Sequence, residues 1–249
     1  GFDWVLQLLM ADIPVNKEEL AEMGAGGLLM EIASRPLPRA LAKSVNKREK
    51  KIMGVILAAG NSTRMGKDNK LLKNIDGTPL IRNIALEITK SDLDSCSIVL
   101  GYQSDKVADV IKDLNINLIL NPMWKEGQAS SLKAALNSLT SSYSDLLVML
   151  GDLPGIKSSH INRIIEEHLS SENRRSKITI PSFKGEKGNP VIWGRSFFHD
   201  LSKLEGDVGG RVLFSQHPAA INLIEMNDPS VVTDTDTPED FENFVVNGA

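Results

Sequence analysis

The chain has 249 residues, of which 41% are hydrophobic and 24% are charged, and this balance is typical of a globular domain. Its single cysteine, Cys96, excludes a disulfide framework and a cysteine-based zinc site, and it fits a reducing compartment such as the cytoplasm. The formal net charge of −4 and the 5% aromatic content argue against a nucleic-acid partner. No apolar run is long enough to span a membrane, so we expect no membrane partner either.

The first 42 residues predict a short helical segment that precedes the main domain. Asn16 followed by Glu19 is typical of a helix start, and Gly24 suits a helix end. Residues 43–51 contain five lysines or arginines, interrupted by Glu49, and this composition favours a solvated linker over a basic targeting segment. We therefore expect a linker at 43–51 and a larger domain at 52–249.

Strand-like and helical patterns alternate from Ile52 onward. Continuous apolar runs predict buried strands at 53–57, 97–100, 117–120 and 145–150, with later strands at 177–180, 189–193 and 221–226. Helical periodicity predicts helices at 80–89, 105–114 (with Asp105 as N-cap), 130–139, 158–169, 196–201, 209–217 and 238–246. The alternation predicts an α/β fold, an open and mostly parallel sheet with flanking helices.

A polar loop at residues 60–70 follows the first predicted strand. Ligands of open α/β sheets lie beyond the carboxyl ends of the strands, so this loop is a candidate site. Its glycines permit close backbone approach, and Arg64, Lys67 and Lys70 could hold phosphates. The spacing matches neither a Walker A motif nor G-x-G-x-x-G, and a solvated surface loop is the alternative.

Carboxylates follow two later strands. Gly151 and then Asp152 follow the run at 145–150, while Asp234 and Asp236 precede the last helix. Carboxylate oxygens are the ligands that Mg²⁺ prefers, so these residues are candidate metal ligands. The alternatives are a turn role for Asp152 and a helix cap supplied by Asp236 or Thr237.

Two further regions are rich in glycine and polar residues. Ser130 and Ser131 stand at the start of a predicted helix, where hydroxyl and N–H groups could bind a base, ribose or phosphate, although a plain N-cap is an equal alternative. In the second half, the loops that carry Asn189 and residues 206–211 are candidates for the acceptor side. The four histidines are scattered and belong to no recognised nucleophile motif.

The segment after the first predicted strand resembles the signature loop of nucleotidyltransferases with a GT-A-like fold. This group includes the MobA-like molybdopterin nucleotidyltransferases, the methylerythritol-phosphate cytidylyltransferase and sugar-phosphate nucleotidyltransferases. The resemblance extends over about residues 52–246. The residues that carry it are Leu57, Ala58, Ala59, Gly60, Ser62, Arg64, Met65, Gly66, Lys70, Leu71 and Leu72.

Three features are similar to the molybdenum cofactor cytidylyltransferase branch of that family. Ala59 stands where the guanylyl branch typically has glycine, and residues 127–132 resemble the Gly-x-x-x-Ser-Leu segment of the cytidylyl branch. The third feature is a set of motifs at 151–154, 188–190, 206–211 and 234–240. Leu153 departs from the glutamine that is usual in this branch, which alters the local pocket but leaves the Asp152 carboxylate in place.

The resemblance implies a Mg²⁺-dependent transfer of CMP from CTP to the terminal phosphate of molybdopterin, with release of pyrophosphate. It implies a catalytic role for Arg64, Lys70 and Asp152, and metal binding by Asp152, Asp234 and Asp236. It implies acceptor binding by Asn189, Gly206, Asp207 and Arg211. The nucleotide-binding residues that it implies are Leu57, Ala58, Ala59, Gly60, Ser62, Gly66, Lys70, Ser130 and Ser131.

The first 40 residues resemble the tail of a molybdopterin-binding domain, which implies that the chain is the C-terminal part of a fusion protein. A molybdoenzyme or a chaperone would then receive the product. Four alternatives stay open. They are the use of GTP, a different acceptor such as a sugar phosphate or methylerythritol phosphate, a non-catalytic molybdopterin carrier, and a regulatory nucleotide-sensing domain.

Overall fold

The most apolar runs of the sequence form the centre of a sheet. In this computed structural model, which describes residues 51–61, 69–235 and 237–247, strand β1 (Ile52–Ala58) lies between β6 (Asp145–Leu150) and β4 (Ser95–Leu100), parallel to both. A further parallel strand, β5 (Asn117–Leu120), forms one edge of the sheet. Apolar side chains on both faces suit such strands because helices cover both faces of the sheet.

The remaining strands extend the sheet beyond β6. Strand β9 (Val191–Gly194) is antiparallel to both β6 and β7 (Ile178–Phe183), and β10 (Ile221–Glu225) is parallel to β7 at the other edge. The order among the described strands is β10-β7-β9-β6-β1-β4-β5. Two short antiparallel elements complete the set: β8 (Glu186–Lys187), which pairs with β7, and a hairpin of β2 (Asn74–Ile75) and β3 (Thr78–Pro79).

Helices pack on both faces of the sheet and enclose two hydrophobic cores. One face carries four helices: α1 (Leu80–Thr89), α2 (Ser104–Ile111), α4 (Ser158–Ser170) and α6 (Pro238–Asn247). The other face carries α3 (Gln128–Ser138) and α5 (Phe198–Ser202). Alternation along β1 sends Ile56 into the first core and Val55 into the second. The predicted α/β fold, an open and mostly parallel sheet with flanking helices, is therefore confirmed.

Two helix predictions are wrong in detail. Asp105 is not the N-cap of α2, because the helix begins at Ser104 and its cap is Gln103 in a left-handed conformation. Residues 209–217 do not form an α-helix but a single 3₁₀ segment, Gly210–Phe214. Pro218 follows, and the adjacent glycines at 209 and 210 disfavour an extended helix.

The predicted helical segment at 1–42 lies outside the described residues, as does the linker at 43–51 except for Lys51. The domain boundary near residue 51 therefore stays a prediction. Among the described helices, none combines the length and the apolar character needed to cross a lipid bilayer.

Candidate functional site

A cavity of about 790 Å³ opens at the carboxyl ends of the central strands. The register places Ala58 of β1 beside Leu100 of β4, and Leu57 beside Leu150 of β6, so the segments that follow these strands meet at one edge. Residues 57–61, 70–71, 124–128, 131, 150–152, 207 and 234 line the cavity. This is the edge at which open α/β sheets bind ligands.

An ion pair between Lys70 and Asp152 stands in the wall of this cavity. The Nζ of Lys70 lies 2.8 Å from Oδ2 of Asp152, and the two side chains are 9% and 18% exposed. A short 3₁₀ turn, Lys70–Leu72, positions the lysine, and the side chain of Asn69 caps that turn by accepting a hydrogen bond from the N–H of Leu71 (3.1 Å). The structure thus brings together two of the predicted catalytic residues, which are 82 positions apart in the sequence.

The second carboxylate oxygen of Asp152 is the atom best placed for a cation. Its Oδ1 is buried and has no hydrogen-bond partner among the described residues, and Asp234 lines the same cavity. Mg²⁺ is commonly bound by one or two carboxylates while water and substrate phosphates complete its coordination. No group of three or more potential metal ligands is present in the described part of the chain. The residues therefore suit a site in which the protein supplies one or two carboxylates, and not a site in which protein side chains supply every ligand.

Thr235 joins the segment of Asp234 to strand β6, and sequence analysis does not identify it. Its N–H and its hydroxyl both donate to the carbonyl oxygen of Asp152, at 3.2 and 3.3 Å. Its own carbonyl accepts from Nζ of Lys70 at 3.2 Å. Because Thr235 is fully buried, these bonds fix the two candidate carboxylates relative to each other.

The cap of helix α6 settles one of the open alternatives. The N–H of Thr237 donates to Oδ2 of Asp240 at 2.8 Å, and the N–H of Asp240 donates to the Thr237 hydroxyl at 3.1 Å. These reciprocal bonds form a capping box, with Thr237 at the N-cap and Asp240 three residues later. Thr237 therefore supplies the cap, while Asp236 lies outside the described residues.

The loop entry at Ala58, Ala59 and Gly60 lies along the cavity as expected. The N–H of Tyr102 donates to the carbonyl of Ala59 (3.0 Å), and the N–H of Gly151 donates to the carbonyl of Leu57 (3.1 Å). The entry is thus fixed from both neighbouring strands. The remainder of the predicted phosphate loop, with Ser62, Arg64 and Gly66, lies outside the described residues.

The two serines of helix α3 have different environments. Ser131 lines the cavity, whereas the hydroxyl of Ser130 donates to the carbonyl of Gly127 (2.8 Å) and Ser130 is not among the lining residues. The buried amide of Asn121 donates to both hydroxyls, at 2.9 and 3.1 Å. Asn121 follows β5 and anchors the turn before α3, a role that depends on contacts the sequence does not reveal.

The loop at 206–211 covers the first turn of α3. The N–H of Gln128 donates to Oδ1 of Asp207, and the N–H of Ala129 donates to the carbonyl of Gly206, both at 3.2 Å. The N–H groups expected to face a nucleotide are therefore engaged by this loop. Gly127 has a φ of +97°, and a Cβ there would lie 2.5 Å from the backbone of Asp207, so this contact requires glycine.

A second cavity, of about 250 Å³, adjoins the first. Asn189, Asp207 and Arg211 line it, while Gly206 supports the loop without reaching the cavity. Its apolar part includes Trp193 and Phe214, whose rings stack with centroids 5.6 Å apart. The two cavities share Leu57, Gln128, Leu150 and Asp207. The structure thus places three of the four candidate acceptor residues beside the candidate nucleotide site.

This chain is similar in sequence to several curated proteins. The nicotine blue oxidoreductase of Paenarthrobacter nicotinovorans is 26% identical over 196 residues, which are 76% of this chain and 93% of that protein. Other curated relatives, named bifunctional protein GlmU, are matched over only 30–32% of their own length.

Two solved structures share the fold. The homologue of Mycobacterium tuberculosis rv0371c from Mycobacterium sp. strain JC1 has a TM-score of 0.69 and 26% identity, covering 80% of this chain and 96% of that one. The complex of Rv0371C with manganese from Mycobacterium tuberculosis H37Rv has a TM-score of 0.65 and 23% identity, covering 79% and 99%.

The family itself is given by the domain match. Residues 54–221 match the MobA-like NTP transferase domain, a span that begins in β1 and ends at the first residue of β10. This span contains the Lys70–Asp152 pair. It also contains the residues that line the two cavities, except Asp234. The chain therefore belongs to the MobA-like NTP transferase family and is a nucleotidyltransferase.

Proposed function

We propose that this nucleotidyltransferase transfers CMP from CTP to the terminal phosphate of molybdopterin and releases pyrophosphate, with Mg²⁺ as the divalent cation. The observation that carries the proposal is the Lys70–Asp152 pair in a large cavity that continues into a smaller one lined by Arg211 and Asn189. Two adjoining cavities suit a reaction that joins two phosphorylated substrates.

In this reaction the protein positions the two substrates and neutralises the charge that develops on the phosphates. An oxygen of the acceptor phosphate forms a bond to the α-phosphorus of CTP while the bond to the bridging oxygen of the β-phosphate breaks, and pyrophosphate leaves with that electron pair. The nucleophile is already an anion, so no general base is needed. In this proposal the Lys70 ammonium offsets the charge that develops on the triphosphate, and Asp152 holds the ammonium in place.

The carboxylates of Asp152 and Asp234 would hold the divalent cation, joined by Asp236 if the resemblance extends to that position. Oδ1 of Asp152 is buried, has no hydrogen-bond partner among the described residues and points to such a role. A bound cation would neutralise phosphate oxygens of the nucleotide. A manganese complex of a protein with the same fold, Rv0371C of Mycobacterium tuberculosis, supports a divalent cation without selecting Mg²⁺.

The smaller cavity suits the acceptor. Its apolar wall of stacked Trp193 and Phe214 would contact a flat ring system such as a pterin, while Arg211 and Asn189 would bind polar groups at its rim. Choice of CTP over GTP is proposed from Ala59, whose methyl group fills space beside the base that the glycine typical of the guanylyl branch would leave open. Transfer of the product to a molybdoenzyme or a chaperone belongs to the same proposal.

The experiment measures pyrophosphate release with Mg²⁺ and molybdopterin, and with CTP, GTP, ATP and UTP tested separately. We expect release with CTP alone, and a loss of about 10²–10³-fold in Asp152→Ala by analogy with loss of one transition-state interaction. The matched control is Asp109→Ala, which removes an exposed carboxylate paired with Lys112 on α2 and should leave the rate unchanged.

Other results would redirect the proposal. Release with GTP would contradict the choice of base, and pterin binding without release would favour a carrier. Absence of both would favour a sugar phosphate or methylerythritol phosphate as the acceptor. The relative named an oxidoreductase makes redox chemistry in this cavity the competing hypothesis. The assay separates the two because only nucleotidyl transfer releases pyrophosphate.

A further inference from the structure

One tryptophan closes the large cavity on the side away from the Lys70–Asp152 pair. Asp152 follows β6, whereas Trp124 contacts Gly101, which follows β4, and β1 lies between these two strands. Neighbouring strands are about 4.8 Å apart, so the end of β6 next to the ion pair and the end of β4 next to the indole are roughly 10 Å apart across the sheet. That separation is similar to the reach of a nucleoside triphosphate from its base to its outer phosphates.

Trp124 is the one aromatic residue among the described residues that line this cavity. It is partly exposed, and the ammonium of Lys125 lies over its ring, 5.6 Å from the centroid. Lys125 lies over one face of the ring, and the partly exposed indole lines the cavity, where a ligand can reach it. The base is the flat aromatic part of a nucleotide, and an aromatic side chain binds it by stacking.

The indole is held from behind by the end of β4. A Cβ on Gly101 would lie 2.5 Å from Cβ of Trp124 and 2.7 Å from the carbonyl oxygen of Ala59, so glycine permits this close approach. The ring of Tyr102 lies against Trp124 with centroids 5.6 Å apart and planes inclined by 54°. Because the N–H of Tyr102 also binds the Ala59 carbonyl, the indole and the loop entry form one rigid wall.

The backbone of Trp124 is anchored as firmly as its side chain. The 3₁₀ turn Trp124–Glu126 begins after Met123, whose N–H donates to Oδ1 of Asn121 (3.0 Å). The N–H of Gly127 donates to the carbonyl of Trp124 (3.2 Å), which joins the turn to helix α3. A ring held in this way loses little conformational entropy when a ligand binds.

We propose that Trp124 stacks on the base of the nucleoside triphosphate while the phosphates lie near Lys70. The proposal rests on the proposed function only in taking the large cavity as the nucleotide site. In this proposal the indole of Trp124 contributes to the affinity for the base. Gly101, Tyr102 and Asn121 position that indole.

The kinetic test varies CTP in the pyrophosphate assay and uses inorganic tripolyphosphate as a competitor that has no base. For Trp124→Leu we expect a rise of about tenfold in the KM for CTP, with kcat changed by less than about twofold, since stacking on one base has roughly this worth. Trp124→Phe, which keeps a smaller ring, should raise the KM by about two- to threefold. The inhibition constant of tripolyphosphate should stay at the wild-type value in both variants.

A binding measurement gives an independent readout. CTP added without acceptor should quench the intrinsic tryptophan fluorescence of the wild-type chain, and this quenching should be lost in Trp124→Phe. Tripolyphosphate should cause no quenching in either protein.

Three results would overturn the proposal: an unchanged KM for CTP in Trp124→Leu, a parallel weakening of tripolyphosphate that reveals a general structural defect, or quenching that persists in Trp124→Phe. The proposed function fails separately. If CTP quenches Trp124 but the wild-type chain releases no pyrophosphate, the stacking stands and the transfer reaction does not.

Discussion

Strand β6 carries an aspartate near each of its ends, and the two have opposite roles. Asp145 is the first residue of the strand and is 0% exposed, whereas Asp152 follows its last residue and is 18% exposed at the side chain. Each is paired with a cation, Arg174 in one case and Lys70 in the other. The strand itself, from Asp145 to Leu150, is roughly 17 Å long, and Asp152 lies two residues beyond its end.

The partners of Asp145 enclose it almost completely. Its Oδ2 accepts from the Ser144 hydroxyl (2.7 Å) and from Nε of Arg174 (3.2 Å). Nε2 of His168 lies 3.3 Å from Oδ1, an ion-pair distance that does not meet hydrogen-bond geometry, and Nδ1 of His168 is 2.8 Å from the Thr179 hydroxyl. None of these residues lines either of the two cavities at the other end of the sheet.

The position of each ion pair in the sheet determines its role. Burial works to raise the pKa of Asp145, but the contacts with His168 and Ser144 and the charge of Arg174 more than offset it, so that the pKa lies below its ordinary value of 3.8. Asp145 therefore stays ionised and ties α4 to the sheet. Asp152 lies at the carboxyl ends of parallel strands and lines the large cavity, where a ligand can approach it.

The largest expected effect is on stability. Asp145→Asn should lower the free energy of unfolding by about 3–5 kcal/mol, because it leaves the largely buried guanidinium of Arg174 without its opposite charge. Urea unfolding at pH 7 would measure this change, and the rate of pyrophosphate release per folded molecule should be unchanged.

The matched variant is Asp152→Asn, the same isosteric change at the opposite end of β6, which faces the cavity. We expect a loss of about 10²–10³-fold in rate but a change in stability within about 1.5 kcal/mol, since its amide oxygen still accepts from Lys70. Activity lost in Asp145→Asn with stability retained would contradict the assignment of roles.

The second expected effect is a pH dependence of stability that depends on Asp145. A carboxyl group whose pKa is lowered by folding stabilises the protein above its ordinary pKa of 3.8, and this stabilisation is lost as the pH falls through the lower value of the folded state. Wild-type stability should therefore fall more steeply below pH 3.8 than that of Asp145→Asn.

Urea midpoints between pH 2.5 and 7 would compare the two curves. The control is Asp113→Asn. In the wild type, a hydrogen bond with Arg82 at the surface lowers the pKa of the Asp113 carboxyl group to about 2. Its curve should stay close to that of the wild type because exposed pairs contribute little. Parallel curves for wild type and Asp145→Asn would show that the cluster does not determine acid stability.

The smallest expected effect concerns Thr235. Thr235→Val removes the hydroxyl bond to the Asp152 carbonyl, and the Asp234 segment then loses part of its fixed position. We expect the concentration of Mg²⁺ for half-maximal activity to rise by about three- to tenfold, the worth of one hydrogen bond. Titration of pyrophosphate release with Mg²⁺ measures this value.

Two variants sharpen the Thr235 measurement. Thr235→Ser keeps the hydroxyl and should restore the wild-type Mg²⁺ dependence. Thr233→Val removes a hydroxyl that binds the Pro229 carbonyl on the same segment, away from Asp152, and should have no effect. An equal loss in both valine variants would indicate a general loosening of the segment.

Much of the fold follows from local patterns in the sequence. The helix at 80–89 and the strands at 117–120 and 145–150 have the observed bounds because each is a clear apolar pattern with polar or turn residues at its ends. The antiparallel direction of β9 does not follow, because strand direction depends on the connection between strands and not on composition. The start of α2 at Ser104 depends on the left-handed Gln103, which no local pattern indicates.

The candidate site divides in the same way. Residues that follow strand ends, such as Asp152 and Ala59, could be selected because the sheet edge is predictable once strands alternate with helices. The residues that hold the site together could not be selected from the sequence. They are Thr235, Asn121 and Gly101. Their roles arise from contacts with segments far away in the sequence or with neighbouring backbone, for example the bond from Thr235 to Asp152 across 83 positions.

The sequence by itself determined the α/β architecture, the edge of the sheet where the chemistry lies and the family resemblance, because apolar periodicity and a short loop motif are local properties. Only the tertiary structure decided which of the two aspartates at the ends of β6 is enclosed and which faces a cavity, and that Trp124 and Lys70 line the same cavity. Burial and distance depend on the packing of all segments at once, and a linear sequence does not display them.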